Sequence, residues 1–200
     1  MTTARDLALV ALDAAPGRTV EQGDLSLALA GAEVIDLLDA GALSLAEDRL
    51  VPGPPGGTDD RLLEEAAAAL VRDEPFEGVE DWLWRRGRGL AATYVEDLES
   101  AGPGTRGRGR RKPLLGRRVE LDPAARARAE ERLASGEPVL AILAAAVGAA
   151  DEKPEAERDV TDDAISTVLA AVGNAMMELE AVRQRKEIED AAFDNIWRGF

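Results

Sequence analysis

Two groups of residues in this chain combine types and spacing that could do chemistry. The first is Asp81-Trp82-Leu83-Trp84-Arg85-Arg86-Gly87-Arg88, which holds two of the three tryptophans beside three arginines. Positions i and i+2 of a helix do not share a face, so one Trp is expected in the core and the other near the arginines. Aromatic rings with guanidinium groups suit an anionic ligand or a membrane–water boundary. Trp82, Trp84, Arg85, Arg86 and Arg88 are therefore candidate anion-binding residues. The plainer alternative is that one ring packs in the core and the other covers a seam.

The second group is Arg106, Arg108, Arg110, Arg111 and Lys112, then Arg117 and Arg118, with Leu114 and Leu115 between them. Basic charge flanking an apolar pair has the chemistry of a peripheral membrane probe. Near an anionic leaflet each Lys or Arg is worth about 1 kcal/mol. The same segment could meet nucleic-acid phosphates, or be a solvated loop.

Other chemistry is hard to find. The chain has no histidine and no cysteine. That removes the commonest general base, the commonest metal ligand and any thiolate. Carboxylate pairs such as Asp59-Asp60, Glu64-Glu65 and Asp162-Asp163 fall at expected helix starts, where they complement the macrodipole. The glycine-rich stretches lack the context of a phosphate loop. Catalysis, a metal and a cofactor are not expected. The net charge is −15. It is unevenly spread, because residues 85–132 hold 13 Lys+Arg against 7 Asp+Glu. An acidic body with one basic segment is a polarised molecule.

The elements that must position these groups are mostly helices. Leu7, Leu9, Val10 and Leu12 mark a short one over 6–13. A second, capped by Asp24, runs to Ala40 and is stopped by Gly41. Residues 42–51 alternate around Glu47-Asp48 and predict a hairpin. A loop follows near 52–58. Asp59 is the expected cap of a helix through Arg72. A helical pattern over 77–101 is broken at Gly87 and Gly89. Residues 103–118 predict a mobile loop or second hairpin, and Asp122-Pro123 starts the next helix. Residues 139–150 are apolar on every side and are the expected central helix. Thr161 is the expected cap of a long helix to about Leu179, and a final helix holds Ile188, Ala192, Ile196 and Trp197. The expected fold is mainly α, one domain over 1–200: a helical bundle with one or two small β-hairpins. The run 139–150 is short of the roughly 20 residues that a membrane span needs. No signal peptide is recognised, so a cytoplasmic location is expected, with peripheral membrane contact.

The order of features resembles the Golgi phosphoprotein 3-like family, including its bacterial members. The residues that carry it are Asp6–Asp13, Leu29–Leu37, Ala40–Leu45, Asp81-Trp82-Leu83, Leu98–Gly102 and Leu121-Asp122-Pro123. The resemblance implies a helical bundle with a small hairpin, and binding of phosphatidylinositol 4-phosphate through a Trp and several Arg. Together with the residue pattern above, this leaves Trp82, Trp84, Arg85, Arg86 and Arg88 as the expected lipid-headgroup-binding residues. The segment from Arg106 to Arg118 becomes the membrane-contact loop. Arg88 matches the first of two family arginines, while Ala91 falls at the second. Ala30 stands where the family has another arginine, and Val20 or Glu21 where it has the pocket tryptophan.

The function expected from these readings is a non-enzymatic adaptor docking on anionic lipid headgroups. A winged-helix-like nucleic-acid binder is the alternative, built on helix 24–40 and hairpin 42–51. That helix carries no Lys or Arg, so nucleic acid is the weaker partner. A protein–protein adaptor is the third reading, with the Arg-rich segment gripping an acidic partner or a second copy in a homo-oligomer.

Overall fold

The computed structural model describes residues 2–15, 17–54, 58–101, 121–152, 156 and 159–198, with side chains to residue 190. Among the described residues there are eight helices: α1 (Thr3–Leu12), α2 (Gln22–Asp39), α3 (Arg61–Ala69), α4 (Val79–Arg86), α5 (Leu90–Ala101), α6 (Pro123–Ala134), α7 (Pro138–Ala146) and α8 (Asp163–Arg198). One antiparallel hairpin, β1 (Leu43–Ala46) and β2 (Arg49–Pro52), lies between α2 and α3. The expected helical bundle with a minor β element is what the structure contains. The second hairpin, expected within 103–118, lies outside the described residues.

The central helix is α2, not the 139–150 segment. It buries twelve of its eighteen residues. Helices α1, α3, α4, α5, α7 and α8 and strand β1 all pack on it. The expectation failed for a physical reason. Apolarity all round suggested centrality, yet α7 ends at Ala146, leaving Ile142 half-buried and Ala146 exposed. Helix α2 carries Glu33 and Asp36 and looks amphipathic, but both carboxylates find partners inside the molecule. Buried charge is tolerated when it is paired and hydrogen-bonded. A contiguous core then joins all eight helices and the hairpin, from Leu7 through Leu29, Leu50, Leu62, Trp82, Tyr94, Ala129 and Leu140 to Val172.

Several boundaries shift by one to three residues. Asp60, not Asp59, caps α3, accepting from the Leu62 and Leu63 N–H groups at 3.0 and 3.2 Å. That helix ends at Ala69 rather than 72. Asp162, not Thr161, accepts from Ala164 and Ile165 at the start of α8. Helix α2 begins at Gln22, so Asp24 sits in its first turn and holds Arg183 instead. The Asp122-Pro123 start of α6 is as expected, with the carboxylate 3.0 Å from the Ala124 N–H. The last two expected helices are one, because residues 178–190 hold no Gly or Pro and consist mostly of strong helix formers.

Two glycines allow close approach. A Cβ on Gly31 would lie 2.3 Å from Val172 Cγ2, so α8 can cross α2 only where a side chain is missing. A Cβ on Gly87 would meet the Leu83 carbonyl oxygen at 2.5 Å and the Ser26 carbonyl oxygen at 3.3 Å. Here the α4–α5 turn presses onto α2, and the Ser26 hydroxyl accepts from the Ala91 N–H at 3.2 Å. The hairpin pairs Leu43 with Pro52 and Leu45 with Leu50, and Glu47 takes φ 57° in its two-residue loop. Leu43 and Leu50 point into the core.

Candidate functional site

Helix α4 carries the first candidate group, with Glu80 and Asp81 in its first turn and Arg85 and Arg86 in its last. That charge order complements the helix dipole. The two tryptophans divide as their spacing requires. Trp82 is 0 % exposed, and its Nε1–H donates to the Ala30 carbonyl at 3.2 Å. A buried indole needs such an acceptor, and a helical carbonyl has a spare lone pair. Trp84 is half-buried against the outside of the core.

The arginines divide as well. Arg86 makes a two-pronged bridge to Glu33, Nε to Oε2 at 2.7 Å and Nη2 to Oε1 at 2.8 Å. Its Nη2 also reaches the Leu62 carbonyl, and the Tyr94 hydroxyl donates to Glu33 Oε1 at 3.1 Å. The Arg86 side chain is 16 % exposed and that of Glu33 is fully buried. Burial pushes the Glu33 carboxyl up, with Arg86 and Tyr94 pulling against it. Burial and the neighbouring Glu33 charge also raise the Tyr94 phenol. This cluster binds α2, α3, α4 and α5 together, so Trp82 and Arg86 are occupied by the fold.

Arg85 is half-exposed but engaged. Its Nε and Nη2 donate to Glu77 at 2.7 and 2.6 Å, and Nη2 also reaches the Ala69 carbonyl. Its guanidinium lies 5.1 Å from the centroid of the Trp82 ring, within cation–π range. Arg88, in the turn between α4 and α5, is exposed. Among the described residues it makes no hydrogen bond or ion pair. Trp84, Arg85 and Arg88 are thus the members of the group that present surface to solvent. The membrane-contact candidates Arg106, Arg108, Arg110, Arg111, Lys112, Leu114, Leu115, Arg117 and Arg118 lie outside the described residues.

A shallow apolar depression opens between the C-terminal end of α1, the start of α2 and the face of α5. Leu12, Val20, Leu25, Ala91 and Val95 line it, with Glu96 and Glu99 at its edge. Val20 or Glu21 stands where the resemblance has the pocket tryptophan, and Ala91 where it has the second arginine.

Sequence reasoning missed two polar constellations. Arg5 bridges Asp60 at 2.8 Å and Asp97 at 2.6 Å, and Arg61 reaches the other Asp97 oxygen at 2.7 Å. Burial works to raise the Asp97 carboxyl, but hydrogen bonds and charge from Arg61 and Arg5 outweigh it and hold it low. Asp36 accepts from the Thr3 and Ala4 N–H groups at 2.8 and 3.0 Å, capping α1 from another helix. Burial raises its carboxyl to about 6, against those bonds. No sequence signal marks either set, because the partners lie 32 to 92 positions apart. Among the described residues, no three acidic side chains are grouped to hold a metal ion.

Residues 4–189 match the Golgi phosphoprotein 3 (GPP34) family. The chain belongs to that family. Its GPP34 match runs from α1 through most of α8 and includes every residue of the α4 group and the hairpin. No curated protein and no solved structure matches the chain. Within the GPP34 region, residues 163–190 of α8 are long and apolar enough, by length and composition, to cross a membrane. Their best 18-residue window has a mean hydropathy of 1.3 and is 17 % buried.

Proposed function

We propose that this Golgi phosphoprotein 3-family protein is a non-enzymatic, cytoplasmic docking protein that meets anionic lipid headgroups at a membrane surface. Phosphatidylinositol 4-phosphate is the headgroup that the family resemblance names. The observation that carries the reading is the family match over residues 4–189. The charge distribution supports it, because the excess of positive charge over 85–132 is set in a chain of net charge −15. Arg88 gives that excess a guanidinium with no partner among the described residues, the donor geometry that suits phosphate. Arg85 and Trp84, on the same helix end, also present surface to solvent, while Trp82 and Arg86 are held in the fold. Val20, Ala30 and Ala91 supply no donors, so docking is led by charge rather than by an enclosed pocket. The winged-helix alternative loses its recognition element, because α2 is buried in the core and has no face for a groove.

The test is co-sedimentation of the full chain with neutral vesicles, vesicles of a generic anionic lipid, and vesicles of phosphatidylinositol 4-phosphate at matched charge. Binding to both anionic surfaces and not to the neutral one is expected, weakening as salt rises. Preference for the phosphoinositide at equal charge would add a specific headgroup site. Failure to bind any of the three would remove the membrane reading.

A further inference from the structure

Helix α8 has two faces with opposite employment. Val168, Val172 and Ala175 are buried, and the helix packs there on α2 and α4. At 100° per residue, the stripe of Ala170, Gly173, Met177, Ala181, Gln184 and Ile188 lies on the opposite side. None of the six is charged. Met177 and Ile188 are 65 % and 70 % exposed, the two most exposed large apolar side chains among the described residues. Surface helices turn such a stripe inward, not outward.

The flanking charges say what covers it. Glu178 and Arg185 stand on one flank, seven residues apart, and among the described residues neither has an ion-pair partner. Their midpoint falls between Ala181 and Val182. The midpoint of Met177 and Ile188 falls one residue further on. A two-fold axis at this place would therefore do two things at once. It would set Glu178 of each copy beside the partner's Arg185, twice over. It would also seat Met177 of each copy between the partner's Gln184 and the partner's Ile188. A two-fold interface is self-complementary in just this sense. Among the described residues, the helices α2 and α4 that α8 packs on lie on its opposite side, away from such a partner. An anionic bilayer fits less well, since residues 163–190 hold six Asp+Glu against three Lys+Arg.

We propose that the outer face of α8 is an antiparallel self-association surface, covered by the same face of a second copy. The proposal is independent of lipid docking. The measurement is sedimentation velocity on the full chain over a hundredfold range of concentration, with no lipid present. A monomer–dimer equilibrium is expected. Met177→Asp and Ile188→Asp should each leave a folded monomer, because both side chains are exposed in the single copy. Arg185→Glu should weaken the dimer about tenfold by placing like charges opposite one another. Adding Glu178→Arg should restore it, which a merely structural effect would not do. Thermal melts keep the comparison to folded protein. A chain that stays monomeric at every concentration overturns the proposal. So does a dimer indifferent to Arg185→Glu, or one that the double exchange fails to rescue. Vesicle binding lost with Met177→Asp while the parent chain stays monomeric would assign the face to lipid instead.

Discussion

Arg86 and Arg88 are two residues apart, carry the same charge and have opposite duties. Arg86 is turned inward and closes a network with Glu33, Tyr94 and the Leu62 carbonyl. Arg88 projects from the next turn into solvent. Gly87, between them, ends α4, and its missing side chain lets the turn lie close against the Ser26 carbonyl. A guanidinium that satisfies a buried carboxylate is unavailable to a ligand, and one that is left free contributes little to stability. Residue type alone therefore does not locate a binding site, whereas the presence or absence of an internal partner does.

The contrast can be broken by substitution, beginning where the effect is largest. Arg86→Ala leaves Glu33 charged and buried without its partner, and is expected to cost about 3–5 kcal/mol in urea unfolding. A loss below about 1 kcal/mol would mean that the network is not tight. Trp82→Phe removes the bond to Ala30 and part of the ring volume, and should cost about 2 kcal/mol by the same measurement. An unchanged midpoint would place the indole at the surface.

Asp36 sharpens the comparison through pH. Its carboxyl is raised from 3.8 to about 6 in the folded protein. Between those values the folded state binds more protons than the unfolded one, so this group makes stability fall as pH rises through the window and level off above it. Asp36→Asn should flatten that component by roughly 1 kcal/mol per pH unit, read from urea titrations between the two values. Asn keeps an acceptor for only one of the two N–H groups, so the slope and not the absolute stability is the readout. A slope unaltered by the substitution would assign the pH dependence to other carboxylates. The smallest effect on stability belongs to Arg88→Ala, within about 0.5 kcal/mol. Its effect should appear in vesicle binding instead, as a reduced bound fraction on anionic surfaces. Full binding by this variant would move the docking surface away from the α4–α5 turn.

Much of the fold was legible because its signals are local. Asp122-Pro123 marks a helix start by backbone chemistry, the alternation around Glu47-Asp48 marks a hairpin, and Gly87-Arg88-Gly89 marks a break. The site was legible only in part. That one tryptophan of the pair would be buried follows from helical periodicity, but the indole's acceptor on Ala30 is 52 positions away. Glu33 is 53 positions from Arg86, and no spacing rule connects them. The same limitation hid the central position of α2. Only the fold supplies the groups that neutralise its Glu33 and Asp36. The helix expected to end near Leu179 runs on, because an exposed helix tolerates charged residues along its whole length.

The cap that Asp36 places on α1 has a consequence for how the chain is made. Synthesis delivers α1 before α2, so the acceptor for its leading N–H groups is then still more than thirty residues from being translated. A ten-residue helix is too short to hold itself together in water. That helix therefore waits, frayed at its leading end, until most of α2 has followed it out of the ribosome.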